Sequence, residues 1–231
     1  MVNIGFLGVP NSGKTSLLRN FIKFIREERF KQLNIQDSYK LISTDFSGES
    51  QLINFKENVE DFIKLTKTIY PNKVVFQNLN SGHFHTIFDP GGDNSMPIVK
   101  IGIITITRIS NIIIAIITLD QPIKDQLKFF ESIRYLPKKI FVCINKMDLI
   151  NKSESGIQLE YNKDTIESSI KKQFGKQKTE VIKFFYTCSE EITNFYNYCE
   201  EAFKMVLEIS NYQDFLPIKG IENKIQSSIF A

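Results

Sequence analysis

Short apolar runs alternate along this chain with longer stretches in which apolar residues recur every three to four positions. Uninterrupted runs of this kind are typical of strands buried on both faces of a parallel sheet, and the longer stretches predict amphipathic helices. The short runs lie at 2–7, 112–119, 140–144 and 181–186. The amphipathic stretches lie at 15–30, 123–134, 164–174 and 192–209. Strands that alternate with helices indicate βα crossovers, so we predict a three-layer α/β fold with a mostly parallel sheet.

Two further strand-like runs, 74–77 and 83–88, flank an Asn-Ser-Gly turn at 80–82 that is typical of hairpins. The hairpin completes a predicted sheet of six strands in which one edge strand is antiparallel. His83 and His85 are two residues apart and would face the same side of this hairpin, so we expect them on its solvated face.

The apolar stretch 101–119 approaches the length of a transmembrane helix. Arg108 lies near its middle, where insertion into a bilayer would cost roughly 2.5–3.5 kcal/mol. The part from 112 to 118 is rich in β-branched residues and is followed by polar residues, so we interpret it as a buried strand.

The composition is that of a soluble globular protein, since 42% of the 231 residues are hydrophobic and 24% are charged. A net charge of +3 favours neither a nucleic-acid groove nor a membrane-binding face. The sequence shows no signal peptide and no common lipid-anchor motif. Three scattered cysteines predict reduced thiols, so we expect a cytoplasmic protein without an intrinsic membrane anchor.

Residues 8–15, GVPNSGKT, fit the pattern G-x-x-x-x-G-K-[ST] between a predicted strand and a predicted helix. Glycines in such a loop let successive backbone N–H groups face a phosphate at the positive end of the helix. Lys14 would bridge the β- and γ-phosphates, and Thr15 would offer its hydroxyl to Mg²⁺. The motif therefore predicts a nucleoside triphosphate and leaves its base open. The expected phosphate-binding residues are Gly8, Asn11, Ser12, Gly13, Lys14, Thr15 and Ser16.

Asn145, Lys146 and Asp148 follow the apolar run at 140–144, at the strand end where sheets of this kind bind ligands. The Asp148 carboxylate can accept hydrogen bonds from N1–H and the exocyclic amine of guanine, which adenine cannot offer. Lys146 can lay its aliphatic stem over the purine ring, and Asn145 can brace the loop. These residues favour GTP and GDP over adenine nucleotides.

Three motifs occur in the same order as in a known family: residues 8–15, Asp-Pro-Gly-Gly at 89–92 and Asn-Lys-Met-Asp at 145–148. From position 1 to position 210 the chain resembles the Ras-like small GTPases, and in style it is most similar to their bacterial, archaeal and gliding-motility-type relatives. The resemblance implies a P-loop GTPase fold, binding of GTP and GDP with Mg²⁺, and hydrolysis of GTP.

The resemblance also implies roles for residues of the two switch segments. Asp89 matches an aspartate that holds Mg²⁺ through water, and Gly92 matches a glycine whose N–H contacts the γ-phosphate. Thr68 stands 21 residues before Asp89, as does the switch I threonine that ligates the metal in the family. Thr66 and Thr44 remain alternatives to Thr68, and a threonine that merely begins a strand is the structural alternative.

Thr187-Cys188-Ser189 follows the strand predicted at 181–186 and resembles the last guanine loop of the family. The resemblance places Cys188 and Ser189 beside the base, with the backbone N–H of Ser189 at the guanine O6. A plain strand-to-helix turn is the alternative interpretation.

Asp93 departs from the family, which usually carries a glutamine at this position to orient the attacking water. A carboxylate cannot donate a hydrogen bond to the γ-phosphoryl group, and its charge opposes the charge on that group. Switch I can supply no arginine, because none occurs between Phe30 and Arg108. With Lys14, Thr68, Gly92 and Asp93 as the catalytic set, we expect slow intrinsic hydrolysis that a partner or another residue completes.

These features predict a switch that cycles between GTP and GDP forms. A nucleotide-holding scaffold subunit with little hydrolysis is the alternative, and an ATP-using P-loop enzyme is disfavoured by Asp148. The expected partners are protein effectors and an activating or exchange protein, and a homo- or heterodimer is left open. No linker divides the chain, so 1–210 is interpreted as one GTP-binding domain with insertions at 31–65 and 149–162, followed by a tail at 211–231.

Overall fold

A computed structural model describes residues 1–53, 64–149, 162–189 and 196–212, and in these ranges the chain forms nine strands and five α-helices. The strands are β1 (Val2–Leu7), β2 (Tyr39–Asp45), β3 (Glu49–Ile53), β4 (Lys64–Thr68), β5 (Asn72–Asn78), β6 (Phe84–Asp89), β7 (Ile112–Thr118), β8 (Lys139–Asn145) and β9 (Glu180–Tyr186). The helices are α1 (Lys14–Arg26), α2 (Pro97–Ile109), α3 (Ile123–Glu131), α4 (Lys163–Lys176) and α5 (Tyr196–Ser210), with short 3₁₀ helices at Arg29–Lys31 and Met147–Leu149.

Parts of four predictions lie outside the described residues. These are residues 54–63 of the insertion at 31–65, the insertion at 149–162 apart from its two end residues, the tail beyond position 212, and the first four residues of the helix predicted at 192–209.

Seven strands form one sheet in the order β2-β5-β6-β1-β7-β8-β9. β1 runs parallel to β6 and β7, and β8 runs parallel to β7 and β9. β5 runs antiparallel to both of its neighbours, β2 and β6, and β3 pairs with β4 in a separate two-stranded sheet. The predicted α/β class with a mostly parallel sheet is confirmed.

The sheet has one strand more than the six expected, and its antiparallel strand β5 lies second from the edge. The additional edge strand, β2, comes from the stretch 31–65 that was interpreted as an insertion. Its sequence, YKLISTD, exposes most positions, because an edge strand is covered on only part of its surface. It therefore lacks the continuous apolar run by which the inner strands were predicted.

Two hydrophobic cores cover the two faces of the sheet and give the predicted three layers. One core joins α1 and α5 to the sheet, with Phe21, Phe24 and Phe203 packed against one another. The other core joins α2, α3 and α4 to the opposite face, with Phe130 and Phe174 in edge-to-face contact. The carboxyl ends of the parallel strands stay open between these layers, which is where such sheets bind ligands.

The stretch 101–119 contains two elements rather than one span. Its first half is the end of α2, whose buried residues Val99, Ile103 and Ile106 recur at helical spacing. A break at Ser110 and Asn111 then leads into β7, which is buried along its whole length. No helix in the described ranges is long and apolar enough to cross a bilayer.

His85 corrects one prediction. It was expected on a solvated face, but β6 lies inside the sheet between β5 and β1, and the His85 side chain is 0% exposed. Its ring stacks on Phe76 at a centroid distance of 5.1 Å, whereas His83, just before β6, is partly exposed. Burial lowers the pKa of His85 to about 4, so the imidazole is neutral at neutral pH.

Candidate functional site

The loop at 8–15 connects the carboxyl end of β1 to the first turn of α1. Gly13 has a left-handed φ of 86°, and a Cβ atom placed on it would lie 2.2 Å from Nδ2 of Asn145. Only glycine combines this backbone with such a close approach. Asn11 also has a positive φ, of 61°, and both Asn11 and Ser16 are exposed, whereas Ser12 is buried. The loop thus presents the backbone that a phosphate requires.

Lys14 is buried beneath this loop, with 6% of its surface exposed. Its Nζ donates hydrogen bonds to the carbonyl oxygens of Gly8 and Val9, each at 3.0 Å. An ammonium has three donors, so a phosphate oxygen can accept from the third. Burial lowers the pKa of Lys14 and the nearby Asp89 charge partly offsets this, so an added phosphate would stabilise the charged form.

Thr15 and Asp89 meet at the beginning of α1. The Thr15 hydroxyl donates to Oδ2 of Asp89 at 2.6 Å, and the Asp89 side chain is fully buried at the end of β6. Asn72 donates to the same Oδ2 at 3.0 Å from the paired position on β5. Sequence reasoning missed Asn72, whose signal is its register opposite Asp89. The side chains of Thr15 and Asn72 therefore hold the Asp89 carboxylate beside the phosphate loop.

The segment after Asp89 packs directly on the phosphate loop. A Cβ atom on Gly92 would lie 2.5 Å from the backbone nitrogen of Pro10, so a larger residue would displace the loop. A Cβ atom on Gly91 would lie 2.2 Å from the carbonyl oxygen of Thr68, at the end of β4. The segment at 89–92 therefore contacts Thr68 through Gly91 and the phosphate loop through Gly92.

Thr44 and Thr66 are the two alternatives for the switch I threonine. Thr44 is on the edge strand β2, where it lines a groove with Arg19 and Phe46. Thr66 is on β4, and its side chain lies outside the described residues. The carbonyl oxygen of Thr68 lies beside Gly91, and the choice of Thr68 as the switch I residue stays a prediction.

Asp93 is bound within its own turn. Its Oδ1 accepts from the backbone N–H of Ser95 at 3.2 Å and from the Ser95 hydroxyl at 2.5 Å. These contacts shape the turn that leads into α2. The Asp93 carboxylate therefore has a structural role beside the phosphate loop.

Asn145 joins the loop after β8 to two other loops. Its Nδ2 donates to the carbonyl oxygen of Ser12 at 2.9 Å and to the hydroxyl of Ser189 at 3.2 Å. The hydroxyl of Thr187 donates to its Oδ1 at 3.1 Å. Three segments that are far apart in sequence, at 8–15, 145–148 and 187–189, are thus held in one constellation.

Asp148 lies in the 3₁₀ helix after β8 and is only 6% exposed. The thiol of the buried Cys188 donates to its Oδ1, with 3.2 Å between sulfur and oxygen. This bond leaves Oδ2 and a second lone pair to accept from a ligand. A buried carboxylate with unused acceptor sites would bind a ligand that carries two N–H groups more tightly than a ligand that lacks them.

Lys146 has a left-handed φ of 62°, which a residue with a side chain rarely adopts. Its Nζ forms an ion pair with Asp120, which follows β7. Asp120 was not predicted as part of the site, because no motif marks a single aspartate in a short loop.

Solved structures show what the chain is similar to. A variant of Aquifex aeolicus Era bound to GDP·AlF4⁻ superposes with a TM-score of 0.51 and 16% identity, over 93% of this chain and 56% of that one. The complex of SsGBP with GDP gives a TM-score of 0.45 and 14% identity, over 91% of this chain and 51% of that one. A bacterial selenocysteine-specific elongation factor, EF-Sec, gives 0.44 and 14%, over 88% and 29%.

The chain thus spans about half the length of the Era and SsGBP structures. At 16% identity, the superposition on Era shows a shared fold and nothing more. No protein-family model matches the sequence, and no curated protein does. The sheet, the loop before α1 and the likeness to Era together define the class: the chain has the P-loop GTPase fold.

Proposed function

We propose that this chain is a GTP-binding protein of the Ras-like type, which switches between GTP and GDP forms and hydrolyses GTP slowly on its own. Asn145 carries the proposal, because it ties the loop that fits phosphates to the loop that fits guanine. A nucleotide needs both loops at a fixed separation, and the bond of Asn145 to the Ser12 carbonyl sets that separation.

Guanine is the base that the pocket fits best. The buried Asp148 carboxylate has one neutral donor, the Cys188 thiol, and guanine would add two more. Adenine presents the acceptor N1 and a C2–H where guanine presents two N–H donors, so adenine would leave this carboxylate buried and underbonded.

Thr15 and Asp89 fit Mg²⁺, because their oxygens lie 2.6 Å apart and are the hard ligands that this ion prefers. With Thr68 as the switch I ligand, phosphate oxygens and water would supply the remaining ligands. The bound ion would neutralise phosphate charge, while Asn72 would keep the Asp89 carboxylate oriented.

The switch itself would consist of Thr68 and the segment at 89–92. The segment lies against the phosphate loop at Gly92, and Thr68 lies against the segment at Gly91. A γ-phosphate would add contacts to both, and its loss would release them. The outer surface of these segments would then be read by protein effectors and by an activating or exchange partner.

A scaffold that holds nucleotide without hydrolysing it is the second candidate, and the contacts of Asp93 favour it. The carboxylate accepts two bonds from Ser95, an arrangement that builds a turn rather than orienting water. Hydrolysis by the isolated chain would then depend on a partner that supplies the missing group.

Single-turnover hydrolysis of bound GTP tests the proposed function. The wild-type protein should bind GTP and hydrolyse it slowly, and Asp93→Gln should raise the rate at least about tenfold, because an amide can donate to the γ-phosphoryl oxygen. Asp93→Asn is the matched control, since it removes the charge but is too short to orient water in the same way.

Three outcomes separate the candidates. A wild-type rate of several turnovers per second would contradict slow hydrolysis. No hydrolysis by either the wild type or Asp93→Gln, with GTP bound, would support the scaffold. Binding of ATP in preference to GTP would contradict both.

A further inference from the structure

The loop at 118–121, which we name the bridging loop, lies between the two halves of the nucleotide site. β7 is the neighbour of both β1 and β8 in the sheet. The loop at its carboxyl end therefore lies between the phosphate loop at 8–15 and the loop at 145–148, which we name the guanine loop. No sequence motif marks these four residues, Thr-Leu-Asp-Gln, and the proposed function does not use them.

The bridging loop contacts both halves through two adjacent side chains. Asp120 forms the ion pair with Lys146 of the guanine loop, and its Oδ1 accepts from the Thr118 hydroxyl at 2.6 Å. Gln121 donates from Nε2 to the carbonyl oxygen of Pro10 in the phosphate loop at 2.9 Å. Consecutive residues therefore hold the base side and the phosphate side.

A buried glutamine fixes the bridging loop itself. Gln126 on α3 is 1% exposed, and its side chain uses both donors and its acceptor. Nε2 donates to the carbonyl oxygens of Thr118 and Gln121 at 2.7 and 2.9 Å, and Oε1 accepts from the Thr118 N–H at 2.8 Å. A loop pinned this way offers a rigid support to the groups it contacts.

We propose that Asp120 is a positioning residue of the nucleotide site: it anchors the ammonium of Lys146 so that the aliphatic stem lies over the purine ring. The side chains of Lys146 and Asp120 are 25% and 33% exposed, so the pair is partly screened from water. The left-handed backbone of Lys146 further limits where its side chain can go. Asp120 thereby sets how long a guanine nucleotide stays bound, an inference that rests on the proposed function.

The test is the dissociation rate of a fluorescent GDP analogue in a double-mutant cycle. Asp120→Asn removes the charge that holds Lys146 but keeps an oxygen to accept from Thr118, so it should speed dissociation about tenfold. In a Lys146→Ala background the same substitution should change the rate by a factor near one, because the side chain through which Asp120 acts is gone.

Glu208→Gln is the matched control. Glu208 also pairs with a lysine, Lys183, at 2.7 Å, but on the exposed side of α5. It makes the same change of charge away from the nucleotide loops and should leave GDP dissociation unchanged.

Each outcome decides between the claims. Unchanged dissociation in Asp120→Asn, an equal acceleration with and without Lys146, or failure of Asp120→Asn to fold would overturn the positioning role. A wild-type protein that binds no guanine nucleotide would instead refute the proposed function. GDP binding by the wild type with no effect of Asp120→Asn refutes the positioning role alone.

Discussion

His85 is a buried titratable residue far from the nucleotide loops. Its ring lies in the core beneath α1 and α5, against Phe76. Burial is the main cause of its pKa of about 4, and the charges of the N-terminal amino group and His83 lower the pKa further. Protonation of His85 therefore opposes folding.

The folded pKa of His85, about 4, lies below the unfolded value of 6.5, so its contribution to stability is complete above pH 6.5 and declines as the pH falls toward 4. We expect a loss of about 2 kcal/mol in the free energy of unfolding between pH 7 and pH 5. Urea titrations at the two pH values measure it. His85→Leu should lose less stability over this range than the wild type. His83→Gln should lose nearly as much as the wild type, because the His83 charge is the smallest of the causes that lower the pKa of His85. Equal losses in His85→Leu and the wild type would contradict the assignment.

Single residues of the site divide into those that a motif marks and those that only the fold reveals. Lys14, Asp89 and Asp148 were predicted, because each belongs to a short pattern at the end of an apolar strand. Asn72 and Asp120 were missed, because their partners lie 17 and 26 residues away and their own neighbours form no pattern. A contact made across a sheet leaves no local signal.

Helices and strands could be predicted where burial gives their apolar residues a regular pattern. β7 and β8 are buried along nearly their whole length and were predicted almost to the residue. α2 was missed because its exposed face also carries isoleucines, such as Ile101 and Ile109, so the helical period is obscured. The edge strand β2 was missed for the opposite reason, since too few of its residues are buried.

The contact of α3 with β7 gives a prediction at this scale. Gln126→Leu should lower the free energy of unfolding by about 2–4 kcal/mol, because the Thr118 N–H and two carbonyl groups lose their buried partner. Gln173→Leu on α4 is the matched control: its Nε2 bonds the exposed Glu131, so the cost should stay below about 1 kcal/mol. Chemical denaturation measures both, and equal costs would show that the three bonds of Gln126 add little.

On the scale of the molecule, the loops of the candidate site follow the carboxyl ends of five parallel strands. β1, β6, β7, β8 and β9 lead into the phosphate loop, the segment after Asp89, the bridging loop, the guanine loop and Ser189. The alternation of strands and helices predicted this arrangement, because parallel strands bring their loops to one edge. The stretch 31–65 was not predictable in the same way, and its described part forms β2, β3 and the start of β4.

The proposed selection of guanine by Asp148 is tested most directly by comparing the affinities for GDP and xanthosine diphosphate. The wild type should prefer GDP, and Asp148→Asn should lose about a hundredfold in GDP affinity while gaining affinity for xanthosine diphosphate, because the amide donates where the carboxylate accepted. Glu208→Gln, which breaks the exposed ion pair with Lys183, should leave both affinities unchanged. An Asp148→Asn protein that still prefers GDP by the wild-type margin would contradict the claim.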